Sequence, residues 1–135
     1  MAHVLSARRA VAAGILVALS VLPFAGIASA HASLVRANIS PGQVFTQKTY
    51  PRLVTAFFAE NVNPKGSFIH VFEGDPKGDH GAVDLENVRF PFKNPKEITV
   101  GLPSKLSKGP YILMWYTVSA DDGHIAGDSY TFTIR

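Results

Sequence analysis

Tyr111-Ile112-Leu113-Met114-Trp115-Tyr116-Thr117-Val118 is a run of branched, aromatic and aliphatic residues with no 3.6-residue spacing. It is apolar at both parities, which is what a strand covered on both faces needs. A little further on, Ser129-Tyr130-Thr131-Phe132-Thr133-Ile134 alternates strictly, with hydroxyls on one side and rings or aliphatics on the other. That is the period of a half-buried strand. Between them, Asp121 to Gly127 supplies turn residues, so the two runs read as neighbouring strands.

The same alternation of β-forming runs and breakers extends back along the chain. It predicts strands over 33–37, 52–58, 68–73, 83–89, 97–102, 111–118 and 129–134. The breakers include Ser40-Pro41-Gly42, Asn63-Pro64-Lys65-Gly66, Gly74 to Gly81, Phe90 to Lys96 and Pro103 to Pro110. Seven short strands in about 100 residues fit an all-β, seven-stranded Greek-key (immunoglobulin-like) β-sandwich. The 135 residues are enough for one such core and too few for two. With 47% hydrophobic residues the chain is too apolar for disorder. It has no cysteine, which excludes disulfides, thiol catalysis and thiolate-bound zinc or iron–sulfur centres.

Residues 1–30 have the anatomy of an export signal. Arg8-Arg9 precede an apolar stretch from Ala10 to Ile27, and Ala28-Ser29-Ala30 provides the small residues of a cleavage site. We expect a signal peptide over 1–30, its removal after Ala30 on export, and a domain over 31–135. Both arginines of the leader contribute to the formal charge of +3, so 31–135 is nearly neutral and carries no nucleic-acid footprint. Cleavage there makes His31 the first residue, with a free α-amine beside its imidazole. Amine and ring nitrogen together can chelate one metal ion.

Asp122-Gly123-His124 lies in the last turn, and this spacing lets a carboxylate and an imidazole converge. Asp-Gly is also a common turn pair, so the motif alone is weak. With His31 it becomes three nitrogens and one oxygen, a set suited to tetragonal Cu(II). Glu60, after Phe57-Phe58-Ala59, is a candidate peripheral acid. His70 is expected to be a packed or edge histidine on the face of Phe68 and Phe72. His80 reads as a solvated loop residue, with a weak contact through Asp79 as the alternative. Ser119 and Ser129 stand near histidine in sequence, but there is no G-x-S-x-G motif and no dinucleotide fingerprint.

Taken together, the residues resemble the periplasmic copper-binding proteins of the CopC family. The carriers are the leader ending before His31-Ala32-Ser33-Leu34, the Ser40-Pro41-Gly42 turn, Phe57-Phe58-Ala59-Glu60-Asn61-Val62, and Gly109-Pro110-Tyr111 leading through Trp115 to Val118-Ser119-Ala120-Asp121-Asp122-Gly123-His124. The resemblance implies a Cu(II) site of His31, Asp122 and His124, with Glu60 peripheral and Asp121 as the alternative to Asp122. It also implies a non-enzymatic copper carrier or buffer in homeostasis or resistance, with a CopD-type inner-membrane transporter as partner. Some family members carry a methionine-rich Cu(I) site; here Met114 is the one methionine in 31–135, and it is read as core. Two other functions compete. One is a copper monooxygenase built on a histidine brace, and the other is a metal-free secreted interaction module.

Overall fold

The computed structural model describes residues 33–74 and 81–135. The expectations for the leader, its cleavage, His31, Asp79 and His80 lie outside the described residues. Seven strands follow in order: β1 (Leu34–Ala37), β2 (Val44–Phe45), β3 (Leu53–Phe58), β4 (Phe68–Glu73), β5 (Glu97–Gly101), β6 (Gly109–Val118) and β7 (Ile125–Ile134). They form a three-stranded sheet, β1-β3-β5, and a four-stranded sheet, β2-β7-β6-β4. The chain passes from one sheet to the other at every step until the β6–β7 hairpin, giving the Greek-key sandwich expected of the sequence.

Alternation decides what goes inside. Val54, Ala56 and Phe58 of β3 and Ile98 and Val100 of β5 face Ile69 and Val71 of β4, Leu113 and Trp115 of β6, and Phe132 and Ile134 of β7. Removing this apolar area from water stabilises the fold at about 25 cal/mol per Å². β6 is central, paired with β4 on one side and with β7 through ten registered positions on the other. β1 is an edge strand whose pairing with β3 slips between Leu34 and Arg36, a bulge-like irregularity.

Four differences from the sequence reading have physical causes. The strand expected over 83–89 does not form. Its start is bonded to β4 (Val83 N to Val71 O, 2.7 Å) and its end to β5 (Arg89 N to Thr99 O, 2.8 Å), so it straps one sheet to the other. Glu86, at φ 54°, breaks its extension. β2 is new, because two residues carry no alternation signal; it pairs in parallel with β7. β7 begins at Ile125, several residues earlier than expected. Gly127 reads as a breaker, but here it is a close-approach residue: a Cβ would lie 3.0 Å from the Trp115 carbonyl oxygen. Finally, Met114 is not in the core. It stands half-buried on the outer face of the four-stranded sheet, opposite His70.

Candidate metal centre

The β6–β7 hairpin ends in a loop of residues 119–124 at one pole of the sandwich. Ser119 N–H donates to the His124 carbonyl (2.8 Å) and Gly123 N–H to the Ser119 carbonyl (3.0 Å), closing the loop on itself. Gly123 adopts φ 75°, a left-handed conformation that costs a glycine little. This reversal lets the two residues flanking it meet. The His124 backbone N–H donates to Asp122 Oδ1 at 3.0 Å, and His124 Nδ1 lies 2.6 Å from Asp122 Oδ2. These bonds, the backbone one foremost, pull the Asp122 carboxyl down from 3.8 to about 2. The carboxylate is therefore ionised throughout the neutral range and accepts, so Nδ1 carries the shared proton. Both side chains are open to solvent.

A divalent first-row ion holds nitrogen and oxygen donors at about 2.0–2.1 Å, so two donors at right angles stand roughly 2.9 Å apart. The Oδ2–Nδ1 separation of 2.6 Å is close to that spacing. An ion can take the place of the shared proton with a movement of a few tenths of an ångström.

Glu60 follows β3 at the same pole. Its Oε2 accepts from Ser119 Oγ at 2.7 Å, and Ser119 Oγ in turn accepts from Asp121 N–H at 3.2 Å. Ser119 is 1% exposed, so it is a buried post between the carboxylate and the hairpin loop. Sequence reasoning missed this role, since a serine at a strand end offers no signal of such a link. Asn61 O and Ala120 N (2.8 Å), and Val118 O and Asn63 N (2.8 Å), complete the seam between these two segments. The start of the described chain belongs to this pole as well, because the Ser33 carbonyl accepts from Ala59 N–H at 2.9 Å.

The structure thus brings together Asp122 and His124 directly and ties Glu60 to their loop through Ser119. Asp121, the alternative acid, bonds Ser119 Oγ through its backbone N–H. Among the described residues no group of three or more His, Cys, Asp or Glu side chains clusters in a way that could hold a metal ion. His70 stands elsewhere, on edge strand β4, packed between Phe68 and Phe72. Its Nδ1 lies 3.2 Å from Oδ2 of Asp84, a carboxylate with a fully buried side chain. Asp84 also accepts from Val71 N–H and Glu86 N–H, both at 2.9 Å. It pins the strap described above to β4, a structural role that its place in a predicted strand concealed.

Residues 34–135 match the CopC domain family. A search of curated proteins returns no match. Among solved structures, the crystal structure of CopC from Methylosinus trichosporium OB3b superposes with a TM-score of 0.62 at 29% identity, over 75% of this chain and 90% of that one. PcoC, a methionine-rich copper resistance protein from Escherichia coli, superposes with a TM-score of 0.61 at 24% identity, over 78% of this chain and 100% of that one. At that lower identity the likeness is one of fold.

Proposed function

This chain belongs to the CopC family, and from that premise we propose that it is a periplasmic Cu(II) carrier or buffer serving copper tolerance or delivery. The leader over 1–30 is removed, and the ion is cargo held by the amine and imidazole of His31 with Asp122 and His124. Glu60 acts from the periphery. The observation that carries this reading is the Asp122–His124 pair at near-chelate spacing, at the pole to which Ser33 is also tied.

The chemistry suits carriage rather than turnover. Asp122 brings a negative charge to the ion, which favours Cu(II) over Cu(I) and suppresses redox cycling. His124 and Asp122 are exposed, so ligands can be exchanged one at a time with a receiving protein, for which a CopD-type transporter is the family's candidate. Glu60, fixed by Ser119, adds negative potential to the pole and holds the loop in register.

The test is Cu(II) titration of the exported protein, with its N-terminus assigned by mass spectrometry and binding followed by electron spin resonance. One equivalent binds, with a nitrogen-rich tetragonal signal. Even an outer-shell contact is worth about 10–100-fold in metal affinity, so His31→Ala, or one residue added ahead of His31, lowers affinity by more than about a hundredfold. Unchanged affinity in either variant refutes the assignment.

A further inference from the structure

Phe92 is fully exposed at the tip of the loop between the strap and β5. A large aromatic in that position gives up the stabilisation that burial would bring. The loop does not let it fold back. Asn94 N–H donates to the Pro91 carbonyl and Glu97 N–H to the Asn94 carbonyl, both at 3.0 Å, while Asn94 Nδ2 donates to Glu97 Oε2 at 3.1 Å. Pro91 and Pro95 fix φ on either side. Behind the tip runs a shallow apolar groove lined by Val62, Pro64, Phe90, Pro91, Phe92 and Pro95.

Exposed basic residues adjoin its lining residues along the chain: Arg89 before Phe90, Lys93 beside Phe92, Lys96 beyond Pro95, and Lys65 next to Pro64. The nearby acids Glu97 and Glu60 are held by hydrogen bonds to Asn94 and Ser119, and the four basic residues outnumber them. The loop is stitched to the candidate metal pole. Lys96 Nζ donates to the Ala59 carbonyl at 2.9 Å, Val62 N–H to the Pro95 carbonyl at 2.8 Å, and Val62 bridges to Ser119.

We propose that the Phe92 tip docks on an anionic lipid bilayer, with Phe92 entering the headgroup region and Lys65, Lys93 and Lys96 paired with lipid phosphates. An exposed ring among cations on a rigid loop is what interfacial anchoring requires. The basic side chains of Lys65, Lys93, Lys96 and Arg89 complement lipid phosphates. The proposal stands whether or not the Asp122–His124 pole carries copper.

The experiment is co-sedimentation of the purified exported protein, in chelator-containing buffer, with phosphatidylcholine vesicles with and without phosphatidylglycerol. Wild type and variants carry the same N-terminus, so their differences report the loop. A basic residue near an anionic surface contributes about fivefold in partitioning, or about 1 kcal/mol. Lys93→Glu and Phe92→Ser should each lower binding to the anionic vesicles by at least that factor, and 1 M salt should abolish the preference for them. Phe92 and Lys93 are exposed, so both variants keep the fold, which circular dichroism checks. Equal binding to the two vesicle types, or variants that bind like wild type, overturns the proposal. No vesicle binding at all also overturns it and leaves the patch to an acidic protein partner.

Discussion

Ser119→Ala removes one oxygen atom from the seam that joins Glu60 to the hairpin loop. The hydroxyl is buried, so alanine fills its place without a cavity, and the cost is that of the lost bonds. A hydrogen bond to a charged group contributes about 1.5–3 kcal/mol. Glu60 is half-buried and water can replace part of what it loses, which puts the 2.7 Å bond at the lower end of that range. The 3.2 Å bond from Asp121 N–H is long, and water replaces it at little cost. The expected destabilisation is about 1.5 kcal/mol, and with a urea slope of about 1.5 kcal/mol per M the midpoint falls by about 1 M. A cycle with Glu60→Ala then separates the pair from its surroundings, with a coupling energy of about 0.5–3 kcal/mol. If the proposed site holds copper, its Cu(II) affinity in the Ser119→Ala variant falls by about 10–100-fold, because the loop that carries the proposed ligands Asp122 and His124 loses its post. An unshifted midpoint, or strictly additive single substitutions, would refute the view of Ser119 as the link between the two segments.

Two further outcomes follow from the same geometry. Asp84→Ala strips a partner from the buried Val71 N–H and unpins the strap, so urea denaturation should register a loss of about 3 kcal/mol; Asp84→Asn, which keeps an acceptor of the same shape, should recover part of it. The metal-free protein should show Asp122 titrating near 2 by NMR, against 3.8 for the ordinary carboxyl. Since its folded value is depressed, its contribution to stability is complete above 3.8 and is lost as pH falls through about 2. His124→Ala removes the ring bond but keeps the backbone N–H, so the value should rise only part of the way back.

What the sequence conveyed follows what periodicity can carry. β3, β4, β5 and β6 are long enough for alternation to speak, and they lie where that pattern puts them. The strap over 83–89 has strand-like residues but serves two sheets, and no local pattern tells a strand from a crossing segment held by Asp84 at one end and Thr99 at the other. The early part of β7 was hidden by Gly127, whose missing side chain admits the neighbouring strand. At the candidate site, Asp122 and His124 are two residues apart, so their convergence was legible from spacing. The bond from Ser119 to Glu60 spans 59 positions and is set by sheet packing alone.

The slip in register on β1 bears on how one copy of the chain meets another. An uninterrupted outer strand offers a row of unpaired amides to any similar strand it meets, and invites stacking into larger assemblies. Here the margin is four residues long, offset between Leu34 and Arg36, and carries a guanidinium stacked on Phe57. Such a margin is a poor template for a second copy. The consequence is that this margin resists edge-to-edge stacking of one copy on another.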